Sequence, residues 1–179
     1  MYLMLAHAVG FGAMAINISS YQFKNSRQIV LCRMVSDIAY ILHYLMLGGL
    51  SGCVTLIVSV LNALVYGMKD KYAWARWKGW KWFFSVLLVA ACLALWQGQF
   101  EMLPGVCTLI SILSVILATW SDNAVIIRGN KLLCAGPAWI IYCVAVGSYA
   151  GVLTELFGMT SAAVGFYRHR AKKKGKGPV

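Results

Sequence analysis

The stretch Arg33-Met-Val-Ser-Asp37-Ile-Ala-Tyr40-Ile-Leu-His43-Tyr44-Leu-Met-Leu-Gly-Gly49 is apolar enough to lie in a lipid bilayer, yet it carries an arginine, an aspartate and a histidine. A carboxylate at mid-bilayer costs at least about 2.5–3.5 kcal/mol, so ionisable groups in a spanning helix face a bundle interior or a water-filled cavity. The rest of the chain bears out the membrane setting. Of its residues 61% are hydrophobic, mean hydropathy is +0.74, and the net charge of +11 comes from sixteen Lys and Arg against five acids. The bases sit in short segments between long apolar runs. That layout points to a membrane protein and away from a nucleic-acid binder.

A spanning helix needs about 20 mostly apolar residues. Seven runs qualify, near 2–22, 28–48, 51–68, 80–97, 101–120, 130–149 and 151–167. The first lacks a basic leader and a small-residue cleavage site, so it reads as a retained helix and not a signal peptide. The six cysteines all fall within apolar runs without a CxxC pair. They read as small buried hydrophobes, with no disulfide and no metal site expected. All sixteen basic residues group on one side: Lys24, Arg27 and Arg33, then Lys69 to Lys81, then Arg128 and Lys131, then the tail. The positive-inside rule makes that side cytoplasmic, with the N-terminus outside and the C-terminus inside. The Lys/Arg-rich tail is expected at anionic headgroups. Trp74, Trp77, Trp80 and Trp82 fit an interfacial aromatic belt.

Residues 40–69 align without a gap on residues 139–168. Ile41, Gly48, Gly52, Thr55, Ala63 and Val65 meet identical residues, and Lys69 meets Arg168. Farther upstream, VGFGAMAINIS aligns loosely with PGVCTLISILS. The expected organisation is a three-helix repeat (1–69), a basic aromatic loop with a spacer helix (70–100), a second, parallel three-helix repeat (101–168) and a basic tail (169–179). Parallel repeats of this kind occur in SWEET-type transporters. The stretches EMLPGVCTLIS, PAWIIY, GSYAGVLTELFGMTS with its basic FYRHR ending, and AYILHYLMLGGLSG followed by LNA carry a further likeness. On these the chain resembles the YgjV-like family of bacterial inner-membrane proteins over essentially its full length. The resemblance implies an all-α, multi-pass inner-membrane protein without naming a substrate.

Polar residues form stripes at helical spacing. Thr55, Ser59, Asn62 and Tyr66 share a face, as do Thr154, Gly158, Ser161 and Gly165; His7, Gly10, Asn17 and Tyr21 lie along the first helix. Tight helix packing explains such stripes equally well. SWEET-type proteins bind solute with an asparagine on the third helix of a triplet; the likeness assigns that role to Asn62, and Ser161 replaces it in the second triplet. Arg33 and Asp37 are spaced for an i,i+4 pair. They either neutralise each other, or Asp37 lines a solute cavity or carries a proton. The repeat mate of Asp37 is Gly136, followed by Pro137, which breaks the helix there. Glu155, His43, His7 and Glu101 lie toward the outside; Glu155 snorkels, forms a structural salt bridge or gates the outer mouth.

The expected function is transport of a small polar solute by alternating access between the triplets. Asn17, Asp37, Tyr40, Ser59, Asn62 and Ser161 are the candidate solute contacts. Arg33, His43, Glu155 and Pro137 are candidates for gating or proton coupling. A non-transporting receptor, sensor or interaction protein on the same fold is the alternative. No HExxH, GxSxG, Walker loop or close carboxylate pair occurs, so neither an enzyme nor a cofactor is expected. A homo-oligomer remains open.

Overall fold

The computed structural model describes residues 2–96 and 102–174; Glu101 and the last five residues of the tail lie outside them, and the side chain of His7 is likewise not described. Among the described residues every regular element is a helix. In chain order these are α1 (Tyr2–Ser20), α2 (Ser26–Leu47), α3 (Leu50–Met68), α4 (Trp80–Trp96), α5 (Met102–Thr119), α6 (Ala124–Asn130), α7 (Gly136–Ala145) and α8 (Tyr149–Lys174). A single 3₁₀ turn (Trp74–Arg76) precedes α4, and a π turn (Lys131–Ala135) joins α6 to α7. Since α6, the π turn and α7 run on as Ala124–Ala145, the described residues form seven helical rods.

Four rods are long and apolar enough to cross a membrane by length and composition: Ser26–Leu47, Leu50–Met68, Met102–Thr119 and Ala124–Ala145. Ala8–Ser20 and Trp80–Leu95 are shorter apolar helices. The rods present aliphatic side chains outward, among them Leu42, Val86, Leu93, Leu133 and Val144. A bilayer tolerates that exposure, whereas water would not. All six cysteines are free thiols.

Two expected boundaries move. The sixth helix begins at Ala124 and not near 130, because the Asn123 side chain accepts from the Val125 N–H (2.9 Å) and starts the helix there. The consequence is large: Arg128 and Lys131, expected in a cytoplasmic connection, are helical and buried. Arg128 donates through Nε to the Tyr21 carbonyl (3.1 Å) and through Nη2 to that of Phe23. It thereby satisfies carbonyls left open at the end of α1, where a helix favours a cation. The last helix runs on to Lys174, so the tail begins as helix and not as an irregular segment.

α1 packs on α2 and α2 on α3; α5 packs on α7 and α7 on α8. Between these groups α1 meets α8 and α3 meets α5, while α4 lies against α3 and α5. The helix ends match at fixed separations. Asn25 caps α2 as Asn123 caps α6, 98 positions later. The α2–α3 turn uses Gly48 at φ 77°, and the α7–α8 turn uses Gly147 at φ 68°, 99 positions later. Both glycines hold the left-handed conformation that ends a helix. In both turns the next N–H closes back on a helix carbonyl, Gly49 to Tyr44 (2.9 Å) and Ser148 to Cys143 (2.8 Å).

Outside the apolar spans, Asp122 braces the two groups. It adopts φ 56°, which Asp tolerates better than most residues. Its carboxylate accepts from Tyr66 Oη (2.7 Å) and from Lys69 Nζ at the end of α3. Partial burial opposes ionisation, but the hydrogen bonds from Lys69 and Tyr66 outweigh it and hold this carboxyl below its ordinary value. A depressed folded-state value stabilises the fold above the unfolded-state pKa of about 3.9, and that stabilisation fades as pH falls through the folded-state value. Asp122→Asn is therefore expected to lower the unfolding temperature at pH 7, with the difference from wild type closing in strong acid.

Candidate functional site

A cavity opens where α1, α2, α5, the π turn and α8 converge. Its volume, about 40 Å³, is enough to hold water among polar walls. Charged residues line it from three elements. Helix α2 places Arg33 and Asp37 one turn apart; the π turn contributes Lys131; α8 contributes Glu155. Tyr40, Tyr44 and Trp139 form an aromatic wall. Tyr44 and Trp139 meet edge to face at 6.0 Å, with the Trp139 indole N–H donating to Tyr44 Oη (3.1 Å).

The four charges form two pairs of different closeness. Lys131 Nζ lies 2.6 Å from Glu155 Oε2, and both side chains are less than a tenth exposed. Arg33 Nη2 is 3.8 Å from Asp37 Oδ2, beyond hydrogen-bond length. Asp37 Oδ2 instead accepts from Ser59 Oγ (3.0 Å). Pairing is what makes these burials tolerable, because an uncompensated ion in a dry interior costs several kcal/mol. Among the described residues, Asn17 Oδ1 is buried at the cavity without a hydrogen-bond partner, and the buried Tyr21 hydroxyl lies beside the Arg33 guanidinium.

The sequence candidates divide by location. Asn17, Arg33, Asp37, Tyr40 and Glu155 line this cavity. Ser59 reaches it through Asp37 and lines a smaller adjoining pocket with Asn62. The Asn62 carbonyl oxygen is taken by the Trp120 indole N–H (2.8 Å), so this asparagine is absent from the main cavity wall. Ser161 lies where α1 crosses α8, donating to the Ile18 carbonyl (2.8 Å) and accepting from Gln22 Nε2 (2.7 Å). His43 is fully buried away from the cavity lining. Its Nδ1 pairs with the Ala6 carbonyl (2.8 Å) and so carries the proton, leaving Nε2 to accept from Ser148 Oγ (2.9 Å) when the ring is neutral. Pro137 sits in the first turn of α7, just after the π turn, so the expected helix break is a change of hydrogen-bond ladder: the Gly136 N–H reaches back to Lys131. Of the readings open for Glu155, the salt bridge is the one the structure places: it lines the cavity, paired with Lys131.

Lys131 and Trp139 line the cavity although neither was a candidate from the sequence, and Tyr21 stood out only as part of the stripe along the first helix. A signal for Lys131 existed: it lies 98 positions after Arg33, the same separation as the two capping asparagines.

Ser59 and Ser161 separate structural from charge-supporting hydroxyls. Ser59→Ala removes a bond to a buried carboxylate and is expected to cost about 1.5–3 kcal/mol, against about 1 kcal/mol for Ser161→Ala, whose partners are neutral. Unfolding in detergent measures both.

A family model described as Imp-YgjV, bacterial inner membrane protein, matches residues 4–173. No curated protein and no solved structure matches the chain. The matched region takes in every helix that builds the cavity. This chain, with charged residues paired inside a bundle of apolar helices, belongs to the Imp-YgjV family of bacterial inner membrane proteins.

Proposed function

We propose that the chain transports a small polar solute, which binds in the cavity between Arg33–Asp37 and Lys131–Glu155. The observation that carries this reading is the burial of four ionisable groups around a space of water-accommodating size. Intramembrane charges facing a cavity mark solute and ion pathways in membrane proteins.

The proposal includes seven crossings, with the N-terminus outside and the C-terminus inside. The flanks with Lys24, Arg27, Lys69, Lys71 and Arg168 support that orientation without help from the buried Arg128 and Lys131. It also includes two parallel three-helix repeats, α1–α3 and α5–α8, with α4 as spacer, in the SWEET-type manner. Reciprocal contacts support the repeat. His43 reaches Ser148 while Tyr142, 99 positions after His43, donates to the Gly49 carbonyl (3.2 Å), 99 positions before Ser148. Tyr44 Oη lies 3.2 Å from Cys143 Sγ, its own counterpart in that register. Such exchanged contacts are the mark of a twofold relation. The cavity lies beside this axis, and rocking of one triplet against the other would open it to each side in turn. The basic tail is assigned to anionic headgroups. No reaction is assigned to the site, and the pathway needs no second copy of the chain.

A second reading, a receptor or sensor without flux, draws on the small volume of the cavity and the close Lys131–Glu155 pair. Proteoliposomes separate the two. Saturable uptake of a polar solute above that of empty vesicles is expected, falling about tenfold or more in Arg33→Gln, since charge-assisted bonds are worth about 1.5–3 kcal/mol. Gel filtration checks that the variant is folded. Solute binding with uptake equal to empty vesicles would establish the receptor reading instead.

A further inference from the structure

Resting on the reading of this cavity as a solute site, we infer that its ligand is a small zwitterion bearing a carboxylate and a primary ammonium, of the size of glycine or alanine. Four observations lead there. First, the Arg33 guanidinium is not locked onto a carboxylate. Its neighbours are Asp37, at an ionic distance of 3.8 Å, and the Tyr21 hydroxyl. Its side chain is 14% exposed, toward the cavity it lines. A guanidinium with free parallel N–H groups is built for a carboxylate. Lys131 is not equivalent, being held by Glu155 at 2.6 Å.

Second, acceptors stand beside that donor. Asn17 Oδ1 is buried without a partner. Asp37, whose Oδ2 accepts from Ser59, lines the same cavity. A plain carboxylate would satisfy Arg33 and leave these acceptors unmet. An ammonium brings three donors to them, and Tyr21 Oη can serve either end of the ligand. Third, the charges of the cavity sum to zero: Arg33 and Lys131 against Asp37 and Glu155. A net-neutral ligand preserves that balance in a low-dielectric interior, where a net charge is costly. Fourth, the cavity is small, about 40 Å³, which favours a compact ligand.

The test is equilibrium binding to the full chain in lipid nanodiscs, with four probes: glycine, L-alanine, acetate and methylamine. Glycine or L-alanine is expected to bind at least about tenfold tighter than acetate and methylamine, each of which lacks one charged hydrogen-bonding group. Asn17→Leu and Arg33→Lys are expected to weaken zwitterion binding by about tenfold or more, the latter while keeping the positive charge. Melting curves without ligand verify that both variants fold, and Ser161→Ala, outside the cavity, should bind as wild type does. Acetate binding as tightly as glycine would overturn the zwitterion and leave an anion site. No binding of glycine or L-alanine at tens of millimolar would overturn the inference outright. In that case saturable uptake of some other solute class would keep the transport reading, and absence of any uptake would end both.

Discussion

Everything at the centre of this bundle follows from the cost of charge away from water. Arg33, Asp37, Lys131 and Glu155 cannot sit among apolar helices singly, so each must find an opposite charge. Lys131 and Glu155 come from consecutive rods and are drawn to 2.6 Å. Arg33 and Asp37 share one helix, and their i,i+4 spacing leaves them at 3.8 Å with Ser59 completing the carboxylate. The helices around them are held by other polar links at their ends, Arg128 on the carbonyls after α1 and Asp122 on the end of α3. The apolar belt outside does little to choose this arrangement, because lipid is as apolar as the side chains that face it.

The π turn gives the second half of the chain a different centre from the first. Before it, caps and cations are 98 positions apart, Asn25 with Asn123 and Arg33 with Lys131; after it, turn glycines are 99 apart, Gly48 with Gly147. With the two halves taken as repeats, one residue is taken up within Lys131–Ala135. An extra residue in one turn turns everything beyond it by about 100° relative to an uninterrupted helix, from 3.6 residues per turn. On the repeat reading, this lets Lys131 and Trp139 both face the cavity, as Arg33 and Tyr40 do across the axis. Pro137, unable to donate a backbone N–H, stands directly after the change of ladder. π turns within α-helices are frequent at functional sites.

Much of this was legible in the sequence, for identifiable reasons. Long apolar runs located the helices, because backbone polar groups in lipid must be satisfied within a helix. Arg33, Asp37 and Asn17 stood out because polar groups are rare in such runs, and all three line the cavity. Asn62 stood out equally, yet Trp120, 58 positions away, takes its carbonyl oxygen; no local pattern announces that pairing. Lys131 was hidden by its neighbourhood. Near the polar Ser121–Asp122–Asn123 turn and Arg128, it reads as one more cytoplasmic base. The single-residue shift across the π turn then masked its match to Arg33. Glu155 looked peripheral for the same reason: its depth was judged along its own helix, while the length of the Lys131 side chain, coming from the neighbouring rod, decides where it points.

The most direct measurement is a double-mutant cycle on Lys131 and Glu155, using Lys131→Met, Glu155→Gln and the double variant, with unfolding free energy measured in detergent. The account predicts that each single change costs about 3–5 kcal/mol by stranding a buried charge, and that the double variant recovers a large part of the summed loss. Single costs below about 1 kcal/mol that simply add would place the two charges in water, as for an exposed pair, and would contradict a buried, paired centre.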